Sequence, residues 1–335
     1  MKENIEKYRA SAKRGIEFLK TSFTAEGSFT GTEHMIAGFY KAPKAFTTAG
    51  QPDEAARTMG YIVDRFYDDG DFHNGHCDIS MPMSDNYRNS WLIWGSHALN
   101  RPDTYEPAAD YLESCINPKL GGLPGRKEYH EHEAIMDWGC SALGTVAFTH
   151  IGRLDAAREC ARFLEEMLES QPEPETRLYL RKSWDGKLYH IFPPHMTTDF
   201  EVEFQKPDQV VWYFGAAMAG LGYLYQATKE QRWLDAAEKI FNLTKLCRPE
   251  IYTMLTSAKI GWGSSVLYTA TGKQEYVDTM ITVADHIVET QEKEGGWVRY
   301  PMFPDWNGQP PVLGVDVSLE RTVWLNFMAS SLEGK

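Results

Sequence analysis

Five short polar turns divide the chain at intervals of roughly 50 residues, and this recurrence constrains the fold more than any other feature. The turns are Ala49-Gly-Gln-Pro-Asp-Glu-Ala-Ala, Leu99-Asn-Arg-Pro-Asp, Ile151-Gly-Arg-Leu-Asp-Ala-Ala, Ala227-Thr-Lys-Glu-Gln-Arg-Trp-Leu-Asp-Ala-Ala and Thr271-Gly-Lys-Gln-Glu-Tyr. Gly50, Gly152 and Gly272 suit the left-handed position just past a helix. Pro52 and Pro102 suit the first turn of the next one. Apolar residues at helical spacing follow the turns, such as Ile62, Val63 and Phe66, then Ala236, Ile240 and Leu243, then Val283, Ile287 and Val288. Each turn therefore joins two antiparallel helices.

The pattern predicts twelve helices in two classes. One class is amphipathic: residues 4–22, 53–68, 104–116, 154–170, 230–247 and 274–292. The other is rich in Gly, Ala and aromatics on all sides: residues 32–49, 86–99, 134–151, 207–227, 254–270 and 317–331. Helices apolar all round are buried, so the second class forms an inner ring and the first an outer ring. Six hairpins then close into an all-α (α/α)6 barrel, or toroid, as a single domain over 1–335. An open solenoid of the same hairpins is the alternative, disfavoured because no terminal hairpin reads as a polar cap. Strand pattern is confined to short pieces near 177–204, Arg177-Leu-Tyr-Leu-Arg and Lys187-Leu-Tyr-His-Ile-Phe, which would form a hairpin in a loop.

Inner-to-outer turns are short, whereas the outer-to-inner connections 69–85, 117–133, 171–206 and 293–316 are long. All the long ones lie at one end, beside the N-termini of the inner helices. Long ordered loops carry function, and those N-termini favour negative charge. A pocket is expected there. The chain holds 10 Trp, 17 Tyr and 16 Phe, more than a core alone usually needs. Its net charge of −13 argues against nucleic acid and anionic membrane as partners. The charged N-terminus and the lack of a long apolar run point to the cytoplasm. Five cysteines without CxxC spacing suggest neither a disulfide framework nor a cysteine zinc site. A small-molecule substrate is the expected partner, and an oligomer is left open.

Candidate residues cluster where the long loops meet the inner helices. Tyr87, Arg88 and Trp91 occupy the first turn after Asp85, which reads either as a site residue or as that helix's cap. In Glu128-Tyr-His-Glu-His-Glu, His130 and His132 alternate with acids. No third ligand is fixed by spacing, so His132 is read as an acid/base group, and neither metal nor cofactor is expected. Asp137, taken to lie one turn into an inner helix, would be a buried acid or base. Cys140 reads as packing. With Pro207 opening a helix, Asp208 and Gln209 lie in its first turn, and Gln209, Trp212 and Tyr213 share a face. Lys259 among small residues needs an ion partner or an anionic ligand. Trp262 between two glycines has room to stack on a ligand. The last inner helix offers Asp316, Glu320, Arg321 and Trp324, of which Glu320 and Trp324 share a face.

The segment Gln291-Glu-Lys-Glu-Gly-Gly-Trp resembles the QW motif of the terpenoid cyclase and prenyltransferase toroids, and Phe18-Leu-Lys followed by Gly27-Ser-Phe looks like a degenerate copy. Their DxDD acid motif is not matched by Asp78-Ile-Ser-Met. Linalool dehydratase-isomerase is similar in size and barrel type, and the six-hairpin glycosidases, unsaturated uronyl hydrolases and sugar epimerases are similar in size and aromatic content. The resemblance implies the toroid fold, and three readings of function stand beside it. The first is a cofactor-independent lyase, isomerase or cyclase on a terpenoid- or polyketide-like substrate. His132, Asp137, Tyr87 and Asp208 would move protons, and Trp91, Trp212 and Trp262 would stabilise cations. The second is a carbohydrate-active hydrolase, lyase or epimerase, with Asp137 and Asp208 as acid and base and Arg88 and Lys259 on a uronate. The third is a non-catalytic helical-repeat binding protein.

Overall fold

A computed structural model describes residues 1–73, 85–127, 131–192, 200–298 and 311–334. Among them run twelve α-helices: α1 (Lys2–Lys20), α2 (Ala42–Thr48), α3 (Pro52–Phe66), α4 (Asp85–Ala98), α5 (Pro102–Ser114), α6 (Trp138–His150), α7 (Leu154–Glu169), α8 (Trp212–Thr228), α9 (Gln231–Thr244), α10 (Ala258–Thr271), α11 (Gln274–Glu289) and α12 (Pro311–Glu333). Helices α2, α4, α6, α8, α10 and α12 pack in sequence, and α12 returns to α2, which closes the inner ring. Outside it, α3, α5, α7, α9 and α11 each back the inner helix that precedes them, and α1 backs α12. This is the expected (α/α)6 barrel.

The two helix classes have a physical basis. Inner helix α4 buries every residue from Asn86 to Ser96, and α6 every residue from Trp138 to Phe148. Outer helix α7 buries one stripe, including Ala157, Cys160, Phe163, Leu164 and Met167. Where α8 crosses α10 the backbones nearly touch. A Cβ on Gly215 would lie 2.0 Å from the Lys259 carbonyl carbon, so no larger side chain fits.

Four of the six inner helices, α2, α6, α8 and α10, start later than their sequence pattern suggests. The expected helix over 32–49 is a 3-10 turn, Ile36–Gly38, followed by a short α2 that begins beside Pro43. Residues 135–137, expected to be helical, form a strand instead. Here β1 (Tyr67–Asp68) pairs with β2 (Asp71–Phe72), β3 (Ile135–Asp137) with β5 (Arg181–Ser183), and β4 (Arg177–Tyr179) with β6 (Glu201–Glu203). The piece 177–183 pairs on either side with residues 135–137 and 201–203. Its end also turns back on 187–189, as expected, through an antiparallel bridge from Lys182 to Leu188 and hydrogen bonds from Ser183 N to Lys187 O and from Tyr189 N to Arg181 O.

The ring closes where the first helix meets the last two. Tyr8 Oη donates to Asp285 Oδ1 at 2.7 Å, and Lys7 Nζ lies 2.6 Å from the same oxygen. Arg9 holds both carboxylate oxygens of Glu333. Gln291 accepts from Ser11 Oγ at 2.7 Å and donates to the carbonyls of Ser11 and Gly295. Trp297, 1% exposed, donates its indole N–H to Ile287 O at 2.8 Å. Its ring fits only because residue 15 is glycine, where a Cβ would meet it at 2.9 Å. The Gln and Trp of the QW-like segment thus act as a corner brace on the closure. Trp297→Ala should cost about 3–5 kcal/mol. Urea denaturation reads this directly, and an unchanged midpoint would remove the brace role.

Candidate active site

The N-termini of the inner helices converge at the end carrying the long loops. Lys41 is the N-cap of α2, Tyr87 and Arg88 lie in the first turn of α4, Asp137 is the N-cap of α6, Trp212 opens α8 and Lys259 is the second residue of α10. Opposite them, α12 presents Asp316 and Glu320, one turn apart on one face.

Four of these side chains form a buried ionic cluster. Lys41 Nζ lies 2.8 Å from Asp316 Oδ2 and also donates to Glu320 Oε2. Lys259 Nζ lies 2.5 Å from Glu320 Oε1. Both lysine side chains are 3% exposed. The two carboxyls are driven apart in acidity. Burial pushes Glu320 up, but Lys259 and Lys41 outweigh it and hold it well below the usual carboxylate range. Asp316 is raised, by burial first and then by the charge of Glu320, against the pull of Lys41. Its second oxygen, Oδ1, is buried and accepts no hydrogen bond among the described residues. Burial alone would lower Lys41, yet the two carboxylates raise it well above the ordinary amine value. The cluster thus pairs one carboxyl held low by two ammonium groups with one raised by burial and by its neighbour's charge.

Aromatic rings frame the cluster. Lys259 Nζ sits over the rings of Trp212 and Tyr87, at 5.1 and 5.9 Å from their centroids, and Lys41 Nζ over Tyr40 and Trp91, at 5.2 and 5.9 Å. Tyr87 meets Trp212 edge-on at 5.0 Å. Trp212 is the partly exposed member of this frame, while Tyr40, Tyr87 and Trp91 are buried. A cleft of about 450 Å³ opens at the same end, lined by Glu33, His34, Arg65, Tyr67, Asp68 and His73. None of the cluster residues lines it.

The structure gives several expected site residues structural surroundings instead. Asp137 precedes its helix rather than lying one turn inside it. Its Oδ1 accepts the Cys140 N–H at 2.7 Å and its Oδ2 lies 3.0 Å from Arg181 Nε, with Asp137 and Arg181 paired in register across β3 and β5. The Cys140 thiol, fully buried beside it, is pushed well up by burial and by Asp137, consistent with packing. Asp208 is exposed in a left-handed turn (φ 52°), because α8 starts at Trp212 and not at Pro207. Of the two carboxyls expected as acid and base, Asp137 is thus buried against Arg181 while Asp208 is exposed. Gln209 is buried, but its amide closes the turn, accepting from Glu203 N at 2.7 Å and donating to Lys206 O at 2.7 Å. The carbonyl of buried Tyr213 accepts the Trp138 indole N–H. Arg88 is 1% exposed and turns back onto Asp85, now the first residue of α4. His132 is exposed in a 3-10 turn, and His130 lies outside the described residues, as does the Asp78 segment. Among the described residues no three metal-type side chains converge.

Trp262 and Trp324 are fully buried. They stack on each other at 4.2 Å, with Trp94 on Trp262 at 5.7 Å and Trp91 on Trp324 at 5.4 Å. Trp94 of α4 and Trp262 of α10 come from opposite sides of the ring, so these rings plug the barrel axis beneath the cluster. Sequence reasoning placed Lys259 and Glu320 in the site and noted Asp316 beside them, but it missed Lys41. The available signal was a lone lysine inside the apolar run Ile36-Ala-Gly-Phe-Tyr-Lys-Ala-Pro.

Removing one cation tests the cluster. Lys259→Met leaves Glu320 with half its compensation and should cost about 3–5 kcal/mol at pH 8. In the wild type Glu320 is depressed, so its stabilising share is present above the ordinary carboxylate pKa and lost as pH falls. The variant's Glu320 titrates higher and is protonated sooner, so the deficit should shrink toward pH 4.5. Denaturation curves at the two pH values check this, and an equal deficit at both would show that the pair is not ionic.

No protein-family profile matches this sequence, and no curated protein matches it. Solved structures do match over nearly the whole chain. D-mannose isomerase superposes with TM-score 0.66 at 12% identity, covering 95% of this chain and 96% of the other. An inactive variant of the α-1,6-mannanase GH76A of Salegentibacter sp. HEL1_6, in complex with α-1,6-mannotetrose, gives 0.65 at 12%, covering 97% and 99%. The type II terpene cyclase MstE from Scytonema gives 0.60 at 12%, covering 99% of each. At this identity the likeness establishes the α/α toroid fold, and both groups suggested by the sequence, carbohydrate enzymes and terpene cyclases, share it.

Proposed function

We propose that this chain is a cofactor-independent enzyme that moves a proton on a carbohydrate, as an isomerase or epimerase does. The observation that carries the reading is the Asp316–Glu320 pair, one carboxyl raised and one depressed, bridged by Lys41 at the loop end of the barrel. Asp316 would donate and accept the proton. Glu320 would stay ionised and hold Lys41 and Lys259 in place, ready to face an oxyanion that develops on substrate. Trp212, the partly exposed ring of the frame, would offer its face to the sugar.

Two features favour this over the other readings. A glycosidase needs its carboxyls on opposite sides of the scissile bond, about 5–5.5 Å apart or more. Here both bind one ammonium from one helix face, an arrangement suited to a single proton-transfer point. An apolar terpenoid, in turn, would leave four charged side chains without polar partners on the substrate. The aromatic frame is what supports the terpenoid reading. The solved carbohydrate enzymes of this fold, including D-mannose isomerase, support the substrate class.

Incubation in D2O with D-mannose, D-glucuronate and geraniol, followed by proton NMR, separates the readings. Solvent deuterium should enter the sugar next to its carbonyl carbon. Asp316→Asn should reduce that exchange by at least about 100-fold in protein that remains folded by circular dichroism. Turnover of geraniol with both sugars inert would overturn the proposal.

A further inference from the structure

On the other side of the tryptophan plug, three residues past Lys41, lies a lysine that the proton-transfer site does not use. Lys44 is half-buried, its ammonium 4.4 Å from the Trp94 centroid and 5.5 Å from that of Phe327. It makes no ion pair or hydrogen bond among the described residues. We propose that Lys44 is a second reactive centre, an amine that condenses with a small aldehyde or ketone to form an imine.

The surroundings supply what such an amine needs. Trp94 and Phe327 stack at 5.7 Å and make one apolar wall. Desolvation against it, with no anion in compensation, brings the amine down to about 8, the one lowered lysine among the described residues. His150 packs on the same Trp94 ring at 5.1 Å and on Tyr223 at 4.7 Å. Its Nδ1 faces the Val146 carbonyl at 2.9 Å. A carbonyl only accepts, so Nδ1 carries the hydrogen and Nε2 keeps its lone pair. Burial first, and then the charges of Lys44 and His97, bring His150 down to about 4, so it stays neutral at pH 7 and adds no second positive charge beside Lys44. His97, one turn beyond Trp94 on α4, is lowered by burial and by Lys44, with Glu106 opposing. The Tyr223 hydroxyl accepts from Trp262 Nε1 and is pushed up to about 12 by burial, so it stays protonated.

The step balances without an outside reagent. The neutral amine attacks the carbonyl carbon, and one proton moves from nitrogen to oxygen to give the carbinolamine. The carbinolamine then loses water. Amine plus carbonyl gives imine plus water, with no net oxidation.

Reductive alkylation of the full chain with propionaldehyde and cyanoborohydride at pH 7, followed by peptide mass mapping, tests this. An amine near 8 has on the order of 100-fold more neutral form at pH 7 than one near 10.4. Lys44 should therefore label on the order of 100-fold faster than the side-chain amine of free Nα-acetyl-lysine in the same mixture, and its rate should level off above pH 8 while that of the free amine keeps rising. Equal labelling rates, or a Lys44 profile parallel to that of the free amine, would overturn the proposal. Glu320→Gln should leave Lys44 labelling unchanged whether or not the sugar reading holds. Loss of labelling in that variant, with the circular dichroism spectrum intact, would show that the amine belongs to the carboxylate cluster and is not a separate centre.

Discussion

Everything at the mouth depends on the closure of the ring. The first inner helix, α2, carries Lys41 and the last, α12, carries Asp316 and Glu320. These residues meet only because α12 returns to α2, and α12 is held there by α1 behind it. Tyr8, Arg9, Ser11 and Gly15 on α1 engage Asp285, Glu333, Gln291 and Trp297. The two ends of the chain are thus locked outside the barrel, and the ionic cluster bridges the same seam inside it. Contacts more than 270 residues apart in sequence assemble the site, so loosening the brace and disordering the cluster should be one event.

Within that seam the electrostatics are set by desolvation. Four ionisable side chains lie in a low-dielectric interior with aromatic faces on two sides. Each charge would be costly alone. The arrangement survives because Glu320 receives two ammonium groups while Asp316 shares one. That asymmetry drives the two carboxyls apart: the doubly paired group is depressed, and the singly paired group, with one oxygen lacking a hydrogen bond among the described residues, is raised. Six inner-helix N-termini point toward the same space and add a positive field that favours Glu320 as an anion.

Much of the architecture was legible because it rests on periodicity. Turn residues and the contrast between one-faced and all-round apolar helices specify hairpins, rings and the end that bears the loops. Helix starts were not legible, because partners distant in sequence decide them. Residues 135–137 continue the helical pattern of α6, but Arg181 and its neighbours recruit them into a strand. That shift turned Asp137 from an interior acid into a helix cap with an arginine partner. Asp208 failed similarly: Pro207 is a valid helix opener, but the Gln209 amide closes a turn around it and delays α8 to Trp212. Lys259 and Glu320 were found because a charge in a helix apolar on all sides demands a partner. Lys41 escaped because it sits just before its helix, where a charged residue ordinarily reads as loop.

The two ends of the barrel handle charge in opposite ways, and the tryptophan plug keeps them separate. At the loop end, helix N-termini and paired side chains make ionised groups tolerable. Below the plug, the C-terminal turns of α4 and α6 present carbonyl dipoles that would favour cations. Lys44 and His150 are nevertheless brought down, so the Trp94 and Phe327 wall outweighs the dipoles there. The spacing makes this possible. Lys41, the N-cap of α2, and Lys44 inside it are three residues apart, as Trp91 and Trp94 are on α4, and each lysine meets its own tryptophan. One lysine has carboxylates beyond the ring and is raised; the other has only rings and is lowered. Identical side chains one turn apart thus differ in acidity because only one of them has carboxylates from α12 within reach.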